Sequence, residues 1–375
     1  MAVYKIFPIK DATLYSLYPS MNTGLDAILE ASNIRNIDLK PDISRYLIEF
    51  DTDEIQDIIN NKISGSTFDV FLKNSISTAQ GINADIKLEI FAVAQSWNNG
   101  TGYYLDKPEI NDGVSWKFRD FLSGSSWDMS GSVGGYGFTG SFDSLNSEQG
   151  GGSFFTSSTL IPQITESFGL RSNKDLELNV KEFTKLWYSG SIPNYGFLTK
   201  LSSSAEFHPS SSIQPILKYY SVDTNTIYPP QLEFRWRDYS LYSPSTSSIV
   251  NTKQIKLSLD DNQGEFQPSS INRFHVNVSP LYPTRSYQIT SSLFTGTNYL
   301  PTSSYYAIKD LATNEFIINF DTQYTQISSD IRGNYFDVYM SGLEPERYYK
   351  ILIKTEIDGS TLILDDDYYF KVING

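Results

Sequence analysis

The sequence predicts an all-β protein built from two β-sandwich domains with two short helices. Three observations carry this. Several segments alternate apolar and polar residues with period two, as in Ile86, Leu88 and Ile90 set between Lys87 and Glu89. The last third of the chain shows turn signals about every ten residues, which is the spacing of a sandwich. Finally, only 39% of residues are hydrophobic while 14% are aromatic, with 26 Tyr and 23 Phe, so rings must supply much of the burial. Large amphipathic rings suit half-buried strands.

Taken in order, Val3 to Leu14 reads as strand, and Asp11, Pro19, Asn22 and Gly24 divide the N-terminal stretch into strand, turn and strand. A second strand, Ser44 to Phe50, leads into Asp51-Thr52-Asp53-Glu54, an acidic cap before Ile55, Ile58, Ile59 and Ile63 at helical spacing. Strands resume at Phe68 to Lys73 and Ile86 to Val93. Residues 113–160 change character: Trp116, Trp127, Tyr136, Phe154 and Phe155 stand among glycines and serines, including the triplet Gly150 to Gly152. So long a run predicts a large inserted surface loop. Its rings predict an assembly element, since a solvated spacer gains nothing by carrying them. A strand at Asp175 to Val180 precedes a second short helix with Phe183, Leu186 and Trp187 on one face. Further strands come after Asn194-Tyr195-Gly196-Phe197-Leu198, at Pro215 to Tyr220, and at Pro229 to Trp236.

The predicted domains are 1–238, a linker at 239–249 rich in Ser, Tyr and Pro, and 250–375. In the last of these, Asp260 to Gly264 and Asp365 to Asp367 read as hairpin turns. Leu343-Glu344-Pro345 followed by Tyr349 has the spacing of a tyrosine corner, whose hydroxyl bonds back to the preceding turn.

Composition excludes several function classes. A net charge of -14 argues against nucleic acid as partner, because phosphate binding needs clustered Lys and Arg. With Cys 0 there is no disulfide, thiol catalysis or Cys-ligated metal. No apolar run approaches a membrane span, and no secretory signal is visible before the first strand, so synthesis in the cytoplasm of the producing cell is expected. The two histidines, His208 and His275, stand in no nucleophile motif, and no acid pair is placed for glycoside hydrolysis. No catalytic residue, cofactor or metal ligand is therefore assigned. A structural calcium would find hard oxygens at Asp260, Asp261 and Asn262 or at the Asp365 cluster, but neither has EF-hand spacing.

The pieces Lys10-Asp11-Ala12-Thr13, Asn22-Thr23-Gly24, Ser44 to Phe50, Ser96-Trp97-Asn98, Asp175 through Trp187 and Asn194-Tyr195-Gly196-Phe197 occur in the order seen in the DNRLRE family. The first domain, residues 3–237, therefore resembles that family's jelly-roll modules, which are similar to carbohydrate-binding modules. The segments Gly113 to Asp120 and Thr224 to Glu233 resemble a variant associated with structural proteins of tailed phages, especially myoviruses. The Leu343 to Tyr349 segment resembles the end of an immunoglobulin-like or fibronectin III domain. The resemblance implies a virion protein in the head, neck, baseplate or fibre. Its expected partners are other virion proteins and further copies of itself. The alternative is an adhesin that recognises host surface glycans. In either case Trp116, Trp127, Tyr136, Phe154 and Phe155 are the expected interface or glycan contacts.

Overall fold

The computed structural model describes residues 2–35, 41–65, 67–82, 85–143, 148–156, 161–206, 214–243, 246–282 and 297–374. Strand accounts for 48% and helix for 9%, so the protein is all-β and sandwich-like. The chain forms two compact units. The larger comprises Ile6–Lys62 and Asp69–Glu233, and the smaller Met1–Lys5, Ile63–Phe68 and Phe234–Gly375. The division thus falls at Glu233/Phe234 and not at 239–249. Residues 239–249 are part of the smaller unit: the Tyr242 N–H donates to the Ser329 carbonyl at 3.1 Å and Tyr242 stacks on Tyr299 at 5.9 Å. A segment low in apolar periodicity is here tied down by backbone bonds and one ring, which composition does not reveal.

In the larger unit an eight-stranded sheet runs Ile164–Phe168, Ile86–Ala92, Phe197–Leu201, Pro41–Glu49, Ile28–Arg35, Ile216–Tyr220 and Ile76–Gln80, with Lys10–Tyr15 also paired to Pro41–Glu49. The central strand is buried on both faces from Asp42 to Glu49. Ile43, Arg45 and Leu47 share one parity, and Ile43 and Leu47 pack with Trp97, Val114, Trp116, Trp127 and Phe154. On the other face Tyr46 lies 5.7 Å from Tyr219 and accepts from Asn74 at 3.0 Å.

Both expected helices form. Thr52–Asp57 is capped by the Asp51 carboxylate, which accepts from the Asp53 N–H, and it continues as a π-turn over Ile58–Lys62. Lys181–Tyr188 buries Phe183 and Trp187, whose rings lie 5.7 and 4.8 Å from Phe197. Near the start of the unit, buried Asp11 accepts from Ser221 Oγ at 2.9 Å and from the Val222 N–H at 2.8 Å. Burial, only partly offset by these neutral donors, raises its carboxyl pKa to about 7.

The smaller unit has a four-stranded sheet, Ile255–Asp260, Ile271–Pro280, Gly333–Tyr339 and Ser328–Asp330. Its five-stranded sheet runs Glu265–Phe266, Ser360–Val372, Arg347–Ile357, Ser304–Asp310 and Phe316–Ile318. Residues of both sheets build one core, with Tyr306 stacked on Phe336 at 4.3 Å. Tyr349, 1% exposed, donates its hydroxyl to the Glu344 carbonyl at 2.9 Å, closing the corner that the spacing predicts. The two acidic turns differ from expectation. Asp260 to Gly264 is not a hairpin: Ile255–Asp260 pairs with Ile271–Pro280, while Glu265–Phe266 pairs in parallel with Ser360–Val372 in the other sheet. Asp365 to Asp367 lies inside a long strand, where Asp367 at φ 56 marks an irregularity and Lys350 holds Asp365 at 2.7 Å and Asp367 at 3.0 Å. The hairpin is Asp358-Gly359, at φ 49 and 66, the two-residue turn that the right-handed twist of the flanking strands favours.

Candidate functional site

The inserted segment is not a surface loop. It forms short strands at Phe118–Asp120 and Ser125–Ser126 and a three-stranded sheet of Ser130–Val133, Tyr136–Asp143 and Glu148–Phe155. Gly134 and Gly135, both at positive φ, make the tight turn between the first two strands of that sheet. Val93 bridges to Phe154, which joins the insert to the large sheet just past the end of Ile86–Ala92.

The rings expected at a contact surface are inside. Trp116 and Phe155 are 0% exposed, Trp127 4% and Phe154 6%, and only Tyr136 is half-buried. The Trp127 indole donates to the Ser115 carbonyl at 3.0 Å, and Phe154 lies 4.6 Å from Phe91. These four side chains therefore anchor the insert to its own unit and offer no platform to a sugar or a neighbour. The physical reason is glycine. At Gly150 and Gly151 a Cβ would meet the Trp116 carbonyl oxygen at 1.9 Å and the Arg45 Nη1 at 2.8 Å, so the backbone lies against the core where no side chain fits.

Beneath the insert sits a buried charge cluster that the sequence reading missed. Arg45, 0% exposed, donates from Nε and Nη2 to the two oxygens of Glu206, also 0% exposed, at 2.6 and 2.9 Å. Its Nη1 donates to the Gly151 carbonyl at 2.8 Å, and its guanidinium lies 5.0 Å from the Trp116 ring. Lys200 lies between Glu89 at 3.0 Å and Glu206 at 3.5 Å and donates to the Leu201 carbonyl at 3.0 Å. Fork-to-fork pairing of this kind satisfies charges that would be very unfavourable alone. The signal available in the sequence was a charged residue at the parity of Ile43 and Leu47. Its partner is 161 residues away and has no local signature.

A cleft of about 410 Å³ opens above this cluster, walled by Glu89, Phe91, Thr139, Phe154, Lys200 and Glu206. Its charged groups bond to one another, so their geometry suits bracing. His275 stands apart, in the smaller unit, with Nδ1 2.6 Å from Asp261 Oδ2 and Nε2 3.7 Å from Asp330 Oδ2. His208 lies outside the described residues. The oxygens considered for calcium have protein partners: Asp260 accepts from Asn277 at 2.6 Å, and Asn262 Oδ1 accepts the Gly264 N–H at 3.0 Å. Among the described residues no helix is long and apolar enough to cross a membrane.

No family model matches the chain, and no curated protein matches it. Among solved structures, a DUF4785 family protein from Legionella pneumophila aligns at 9% identity and a TM-score of 0.19, over 99% of this chain and 65% of that one. A likeness that slight carries no argument about fold or function.

Proposed function

We propose that this chain is a non-catalytic structural and interaction protein of a tailed-phage virion, assembling with other virion proteins and with copies of itself. The observation that supports it best is the use made of the buried charges. Arg45 and Lys200 hold Glu206 and Glu89 beneath the insert, and Arg45 also donates to the Gly151 carbonyl, which ties the insert to the sheet. Such cross-bracing yields a body of one fixed shape, which repeated assembly requires. The resemblance of the ordered segments to the DNRLRE family and its phage-associated variant points the same way.

The test is the protein content of the particle. Virions purified on a density gradient, from cells infected by the virus that carries this gene, should contain the chain at a constant stoichiometry. Gold-labelled antibody should place it at one position on each particle. Particles that lack the chain, or a gene with no virus around it, overturn the proposal.

A further inference from the structure

The smaller unit buries one titratable ring outside its core. His275 lies in Ile271–Pro280, where Phe274, Val276 and Val278 enter the core and Arg273, His275 and Asn277 take the opposite face. It is nonetheless only 6% exposed. Its two ring nitrogens face carboxylates that belong to different elements. Nδ1 stands 2.6 Å from Asp261 Oδ2, just after Ile255–Asp260, and Nε2 stands 3.7 Å from Asp330 Oδ2, at the end of Ser328–Asp330. Nε2 is buried, and at that distance it has no hydrogen-bond partner.

The carboxylates are set in place by their own contacts. Asp330 Oδ1 accepts the N–H groups of Arg332 and Gly333 at 2.7 and 3.1 Å, which leaves Oδ2 turned toward the histidine. Asp261 sits at φ 63, with Arg332 Nη2 3.7 Å from its Oδ2. The other ionisable groups around the ring are engaged elsewhere. Asp260, opposite His275 on one neighbouring strand, accepts from Asn277 at 2.6 Å. Tyr335, opposite on the other, has its ring 6.1 Å from the imidazole and 4.0 Å from the Arg273 guanidinium. Arg273 in turn donates twice to Asp337, at 2.8 and 2.9 Å.

The protons on the ring decide whether this arrangement is satisfied. A neutral imidazole carries one N–H. Placed on Nδ1, it serves Asp261 and leaves the Nε2 lone pair facing a carboxylate oxygen, acceptor against acceptor. Placed on Nε2, it moves the same mismatch to the closer contact. Only the imidazolium offers a donor to each carboxylate. Histidine is also the side chain that ordinarily changes charge near neutrality, where aspartates are ionised.

From this geometry we infer that His275 is a proton-operated latch within the smaller unit. With its second proton the ring closes Nε2–H onto Asp330 and ties the Asp261 turn to the hairpin of Ser328–Asp330 and Gly333–Tyr339. Without it that bond opens, and the hairpin turn, whose Ile331 is 74% exposed, is released from the ring. The bond is present on the acid side of the ring's titration and is lost as pH rises through it.

The test follows the histidine rings of the full chain by NMR between about pH 5 and 8. Over the same range it measures amide exchange, relative to intrinsic rates, at Arg332 and Gly333, which donate to the Asp330 carboxylate. Protection of those amides should fall by on the order of tenfold as His275 loses its proton, the equivalent of one charge-assisted hydrogen bond. His275→Gln identifies the ring signal and should remove the response while Asp11 still titrates in the larger unit. Asp330→Asn keeps the Oδ1 acceptor but can set an amide donor before Nε2, so the response should be lost or reversed. Exchange at Arg332 and Gly333 that ignores the ring, that persists in His275→Gln, or that keeps its sign and size in Asp330→Asn would each overturn the latch.

Discussion

Two neighbouring segments of the larger unit make opposite use of aromatic residues. Residues 113–156 turn Trp116, Trp127, Phe154 and Phe155 inward, whereas residues 98–112 leave Tyr103 and Tyr104 in solvent. Both are long departures from the sheet, and both are fixed by buried polar side chains, Arg45 in one case and Asn22 in the other. What separates them is where the backbone meets the core. Gly150 and Gly151 let the insert press against Trp116 and Arg45, and its rings follow inward. The Asn22 loop is gripped at its base, so its tip stands clear. Ring content alone therefore does not distinguish a core from an exposed surface.

Substitutions can break this comparison, beginning with the largest expected effect. Arg45→Ala leaves Glu206 buried without its main partner and releases the Gly151 carbonyl. It should destabilise the larger unit by about 3–5 kcal/mol in urea denaturation; a loss under about 1 kcal/mol would mean that the pair does not hold the insert. Next comes Asn22→Ala, which strands the carbonyls of Asn99 and Val114 and the N–H groups of Gly24 and Gly102, four backbone groups in all, and should cost about 2–3 kcal/mol. It should also speed amide exchange at Gly24 and Gly102, and unchanged exchange there would show that the loop keeps its shape without Asn22. Tyr349→Phe, in the smaller unit, removes one such bond in place of four and should cost about 1 kcal/mol. If Tyr349→Phe proved the costlier of the two, the count of bonds to the backbone would be a poor guide to how firmly a loop is held. The smallest effect belongs to Tyr103→Ala, which should fall within about 0.5 kcal/mol of zero; a larger loss would place that ring in the fold after all.

Much of the frame was legible because its causes are local. The Asp51 cap before Ile55 and Ile58, the alternation at Ile86 to Ile90, and the Tyr349 spacing all arise from periodicity or from one short-range bond. What escaped depends on residues far apart in the chain. Arg45 meets Glu206 only because two sheet-adjacent segments converge, and Trp116 reads as a surface ring until Gly150 and Gly151 are seen against it. The turn errors have a related cause. Aspartate favours turns, but at Asp365 and Asp367 the charges serve Lys350 across the sheet, and Asp358-Gly359 makes the reversal instead.

The carboxyl of Asp11 makes folding a proton-coupled reaction. Its pKa of about 7 in the folded chain lies above the ordinary 3.8, so between those values folding takes up a proton at this position. The contribution is fully present below the unfolded pKa and is lost as pH rises through the folded one. The heat of unfolding near pH 5.5 should accordingly vary with the ionisation enthalpy of the buffer, by the share of one proton. Asp11→Asn should remove that share while keeping one acceptor oxygen for the Val222 N–H and turning a donor toward Ser221 Oγ. A heat that is independent of buffer in the parent chain would mean that Asp11 is ionised in both states.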